Sequence, residues 1–121
     1  MQLHEKRCVP CEGGTPPLDA ATTKTLLGQV SGWRLVSPGA EAPAASPDPT
    51  ANKIAKQFSF ADFIGAMAFV DKMAALAEEE GHHPDFCVHY SRVDVTLWTH
   101  AVKGLSENDF ILASKIDALV S

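Results

Sequence analysis

Residues 59 to 81, "SFADFIGAMAFVDKMAALAEEEG", constrain the fold more than any other stretch. Apolar side chains recur there at helical spacing, at Phe63, Ile64, Met67, Val70, Ala74 and Ala77, which predicts a long helix with that face buried. Ser59 and Asp62 fit a capping box at its start. Gly81 stands where a left-handed C-terminal cap is expected, and Pro84 blocks continuation. On the N-terminal side, "WRLV" (33–36) and "IAKQFSF" (54–60) read as strands. On the C-terminal side, "DFCVHYSRVDVTLWTH" reads as a hairpin.

A Ser91-Arg92 turn would set Tyr90 opposite Val93, Val88 opposite Val95 and Phe86 opposite Leu97, all apolar pairs. The same register carried outward sets His83 opposite His100. Two shorter helices complete the pattern. "LDAATTKTLLGQVSGW" has Asp19 as N-cap, Leu26, Leu27 and Val30 on one face, and Gly32 as a stop. "GLSENDFILASKIDALV" has a Ser106–Asp109 capping box, with Phe110, Ala113, Ile116 and Val120 as its buried face. The order α-β-β-α-β-β-α suits an α+β domain, an antiparallel sheet with helices on one face. The other sheet face, bearing Thr96 and Trp98, is then a candidate oligomer surface.

The chain has 121 residues, enough for one such domain. Residues 1–18 read as an extended arm, 19–121 as the domain, and the Pro/Ala/Ser-rich stretch 37–52 as a flexible insert. A net charge of −5 argues against nucleic acid and anionic membrane surfaces, which need a basic stripe. No apolar run approaches the roughly 20 residues of a membrane helix. "MQLHEKRC" lacks the apolar core of a signal peptide, although a segment removed earlier would leave no trace. Three cysteines do not suggest a secreted disulfide scaffold, so a cytoplasmic location is expected. Cys8 and Cys11 have the spacing of half a metal or redox site. With only Cys87 left as a partner, they read as incidental residues of the arm.

The chemistry concentrates in "AEEEGHHPDF". Glu78, Glu79 and Glu80 oppose the macrodipole at a helix C-terminus, at about 0.3–1 kcal/mol each. A local rule broken in this way points to a site. Carboxylates and a helix C-terminus both favour protonated imidazole, so His82, His83 and His100 would form a cluster suited to donating one proton and removing another. The same residues also read as a solvated acidic helix end followed by exposed histidines. A metal site is disfavoured, because adjacent histidines point apart on an extended chain and no zinc-enzyme spacing is present. His89 reads as a surface histidine, and Trp98 as a packing or interface residue.

"EEEGHHPDF", "VTLWTH" and "GLSENDFILA" together resemble the pterin-4a-carbinolamine dehydratase family, with "AKQFSF" and the flanking "LL…GW" also similar. The resemblance spans roughly residues 18 to 121, leaving out the "CVPC" arm. It implies a four-stranded antiparallel sheet with three helices, often assembled as a homodimer or homotetramer. It also implies dehydration of a 4a-hydroxytetrahydropterin, such as 4a-hydroxytetrahydrobiopterin, without metal or organic cofactor. That substrate would come from an aromatic amino acid hydroxylase. By resemblance His82 and His100 transfer protons, while His83 holds the pterin and shares the catalysis. Glu78 and Pro84 lie at the substrate, Glu78 orienting or charging an imidazole and Pro84 fixing the backbone. Asp109 is either a capping residue or a support for His100. Two alternatives keep the fold: a protein-binding, coactivator-like dimerisation module, or action on another pterin.

Overall fold

The computed structural model describes residues 2–9, 16–37 and 51–120. Helix α1 (Ala20–Leu27) leads to strands β1 (Arg34–Val36) and β2 (Lys53–Ser59), helix α2 (Phe63–Glu80), strands β3 (Asp85–His89) and β4 (Arg92–Leu97), and helix α3 (Glu107–Ala118). Short 3-10 turns occupy Leu3–Glu5 and His100–Val102. The sheet is antiparallel throughout, in the order β1-β2-β4-β3. Ile54, Phe58, Val93, Val95 and Leu97 form one core with Leu26, Phe69, Met73, Phe110 and Ile116 from the three helices. This is the α+β architecture that the pattern of periods predicts. Among the described residues, no helix is long and apolar enough to cross a membrane.

Several local expectations are corrected. Helix α1 begins at Asp19 as predicted, its carboxylate accepting from the Thr22 N–H, but it stops at Gly28 and not at Gly32. Gly32 instead takes φ +84° in the turn that enters β1. Helix α2 is capped by Asp62 itself, whose side chain accepts from the Gly65 N–H at 2.7 Å, because Ser59 is still in β2. Its buried face is Ala66, Phe69, Val70, Met73 and Ala77, while Phe63 and Ile64 are 46% and 74% exposed. This helix carries apolar residues on two sides, so periodicity offers two stripes. The inner one is chosen by Phe69, which packs 4.8 Å from Phe58 and 5.1 Å from Phe60, ring centre to ring centre. On α3 the capping box forms as expected, but Val120 lies past the helix and is exposed.

The hairpin turns at Tyr90-Ser91, with Tyr90 at φ +56°, so Val88 faces Val93 and Phe86 faces Val95. The expected Ser91-Arg92 turn is therefore off by two residues in register. A two-residue slip keeps every side chain on its own face, and so the core pattern could not reveal it. Carried outward, the observed register sets residue 83 towards Trp98 and not towards His100. Thr96 and Trp98 do not lie on a bare sheet face either: both are buried. Trp98 is held by its indole N–H, which donates to Asp85 at 3.0 Å, and by the His100 ring and Lys53 ammonium packed against it.

The N-terminal residues 2–9 are docked on the body. Leu3 is buried within the main core, and Leu18 beyond the arm ties back through its N–H to the Leu105 carbonyl at 2.9 Å. Cys11 and most of the 37–52 insert lie outside the described residues.

Candidate active site at the C-terminal end of the long helix

Gly81 ends α2 in the left-handed conformation, φ +67°, its N–H returning to the Ala77 carbonyl. The His82 N–H bonds the same carbonyl at 3.2 Å. A side chain here would be strained by the backbone alone. The reversal delivers His82 and His83 at the helix end, and Pro84 then leads into β3. From the other side β4 ends at Leu97. Thr99 exchanges backbone bonds with Gly104, closing a small loop that presents His100. Helix α3 points its first turn into the same region.

His82, His83 and His100 line one cavity of about 350 Å³, with Trp98, Val9 and Asn108 among its other walls. The three environments differ. His82 is mostly buried, and its Nε2 lies 2.6 Å from Asp109 Oδ1. Asp109 is fully buried, and its Oδ2 accepts from the Thr99 hydroxyl at 2.8 Å and the Ser106 N–H at 2.9 Å. One carboxylate therefore both caps α3 and holds an imidazole. The expected choice between those roles does not arise, and the histidine beside it is His82, not His100. His100 stacks on Trp98, ring centres 3.9 Å apart. His83 is exposed, with Nε2 at 3.2 Å from Glu78. Neither Glu78 nor Pro84 lines the cavity; Glu78 reaches it through His83. His89 sits apart, 3.5 Å from Asp94 on the sheet face away from the core.

The three glutamates divide between two tasks. Glu78 pairs with His83. Glu79 contributes its backbone carbonyl, which accepts from Arg7 at 3.3 Å. Glu80 is buried and turned away from the histidines. It accepts from the Cys8 N–H at 2.8 Å and from Lys115 at 2.9 Å, and pairs with Arg7 at 3.2 Å. Burial opposes its charge, but the Cys8 N–H, Lys115 and Arg7 outweigh that and hold its carboxyl below the ordinary range. Burial and the nearby Glu80 push the Cys8 thiol up to about 12, which disfavours its thiolate. Sequence reasoning groups Glu80 with the histidines and misses its bonds to Cys8, Lys115 and Arg7, and it misses Asn108 and Val9 altogether. The available signal is the acid at a helix C-terminus, where a basic partner satisfies the macrodipole as well as a histidine would. Among the described residues, no three His, Cys, Asp or Glu side chains gather as a metal cage would need.

The sequence profile of the family described as pterin 4 alpha carbinolamine dehydratase matches residues 16–119. The chain belongs to this dehydratase family. A relative from Halorhodospira halophila, named as a candidate pterin-4-alpha-carbinolamine dehydratase, is 42% identical over 119 residues, covering 98% of each chain. One from Rubrobacter xylanophilus, named likewise, is 38% identical over 118 residues, again 98% of each. Among solved structures, a transcriptional coactivator/pterin dehydratase from Brucella melitensis superposes with a TM-score of 0.71 at 30% identity, over 87% of this chain and 99% of that one. A pterin dehydratase-like protein identified as a RuBisCO assembly factor in the alpha-carboxysome gives 0.53 at 30% identity, over 60% and 83%. Both structural relatives are thus described by a protein-level role beside, or in place of, dehydration, and one fold can carry either kind of role.

Proposed function

We propose that the protein dehydrates a 4a-hydroxytetrahydropterin, 4a-hydroxytetrahydrobiopterin being the natural candidate, to the quinonoid dihydropterin and water. The observation that carries this reading is the convergence of His82, His83 and His100 on one cavity, with His82 fixed by a buried carboxylate. The reaction adds a proton to the 4a-hydroxyl, breaks the carbon–oxygen bond and removes a proton from a ring nitrogen. No net proton is consumed, so one acid and one base that face the substrate suffice, each contributing on the order of 10²–10⁴-fold. Asp109 already accepts from Thr99 and Ser106 and faces His82 as an acceptor. The His82 Nε2 therefore carries the hydrogen of that bond, leaving Nδ1 as the nitrogen that exchanges a proton. His82 and His100 are the two proton-transfer groups, in either order. His83, backed by Glu78, holds the pterin and shares the proton work, and Pro84 fixes the chain behind it.

By family resemblance the protein works in the cytoplasm as a homodimer or homotetramer, on the product of an aromatic amino acid hydroxylase and without a metal or cofactor. A pure interaction module is the second reading, favoured by the partner-based descriptions of two structural relatives. It has no use for the histidine set. The test is absorbance-monitored dehydration of freshly generated 4a-hydroxytetrahydropterin. Acceleration over the spontaneous reaction by catalytic amounts of protein is expected. A folded protein that gives none excludes the enzyme reading and leaves the interaction module or another pterin.

A further inference from the structure

The N-terminal segment is a wall of the histidine cavity, and buried side chains hold it in place. Glu80 grips the Cys8 N–H, while Asn108 brackets Val9 on both sides of its backbone. The Val9 N–H donates to Asn108 Oδ1 at 3.0 Å, and Asn108 Nδ2 donates to the Val9 carbonyl at 2.6 Å. The Val9 side chain itself is 63% exposed at the cavity rim. Beyond it lies a second depression of about 500 Å³, between the arm and the first turn of α3. Val9 and Asn108 line both spaces, so the two meet at this pair.

We propose that Val9 and Asn108 form the specificity threshold of the site: the pterin ring occupies the histidine cavity, and the substituent on its carbon 6 crosses Val9 into the second depression. This rests on the dehydratase reading above. Carbon 6 is two bonds from carbon 4a, so its substituent starts beside the groups that act on the 4a-hydroxyl. Asn108 directly precedes Asp109, which holds His82. The cations bordering the depression are already matched, Lys6 to Glu107 at 3.4 Å and Arg7 to Glu80 at 3.2 Å. A neutral, hydroxylated substituent fits that lining better than an anionic one, which would have to compete with those carboxylates.

The test compares KM and kcat for two 4a-hydroxytetrahydropterins, one with a 6-methyl group and one with a 6-dihydroxypropyl group. Asn108 is buried and its removal endangers the fold, so the test uses the exposed Val9. Val9→Ala is expected to raise KM for the dihydroxypropyl substrate about three- to tenfold, less than the roughly 10–200-fold of an enclosed apolar pocket because Val9 sits exposed at the rim. KM for the methyl substrate should move less than twofold, kcat should hold for both, and Val9→Ile should restore the native ratio. An unchanged ratio in Val9→Ala overturns the proposal and leaves the dehydratase reading standing. Failure of the native protein to turn over either substrate removes that reading and this proposal with it.

Discussion

Asp109 is the residue on which structure and chemistry overlap most. Its Oδ2 caps α3 through the Ser106 N–H, and its Oδ1 fixes His82. The two roles separate by substitution. Ser106→Ala removes the hydroxyl side of the capping box and should cost roughly 0.5–2 kcal/mol in urea unfolding, with kcat within a few-fold of native. Asp109→Asn keeps an acceptor for the cap but removes the charge facing His82. Its kcat should fall at least tenfold, a loss greater than its stability change explains; a kcat equal to that of Ser106→Ala would reduce Asp109 to a cap. Gly81 is a second single-residue control. At φ +67° any side chain is strained, so Gly81→Ala should destabilise by about 1–2 kcal/mol, read from the urea midpoint at an unchanged slope.

At the scale of elements, the end of α2 is a junction between the arm and α3, fastened by Glu80. The sign of its pH dependence follows from a carboxyl whose folded pKa lies below its ordinary 4.5. The unfolded chain then binds more protons than the folded one as acid is added, so stability rises with pH and is lost on acidification. The Glu80 contribution is complete above 4.5 and is lost as the pH drops through the lowered folded value. Native protein and Glu80→Gln, unfolded in urea across that range, should converge in stability on the acid side and separate above it. A constant difference would show that the charge of Glu80 contributes nothing. Two of the three acids at this helix end have partners that offset the macrodipole cost: Glu78 pairs with His83, and Glu80 with Lys115 of α3 and Arg7 of the arm.

For the whole molecule, the element order and the histidine cluster were legible from the sequence because they depend on local periods and short motifs. Val70 and Val93 declare their elements by spacing, and "GHHP" with "TH" declares the site. What was not legible depends on contacts far apart in the chain. Nothing near Glu80 says that it meets Cys8 and Lys115. The inner face of α2 was ambiguous because Phe63 and Ile64 are as apolar as Phe69 and Val70, and only the fit of Phe69 to Phe58 and Phe60 decides. The hairpin register escaped because neither Tyr-Ser nor Ser-Arg is a favoured turn pair. Family membership fixes this architecture, and the histidine site is where activity is decided. The most direct measurement is the rate of 4a-hydroxytetrahydropterin dehydration by His82→Ala and His100→Ala beside the native protein, with folding checked by circular dichroism. The account predicts that each folded variant loses at least a hundredfold in kcat. Folded variants that retain the native rate would contradict it.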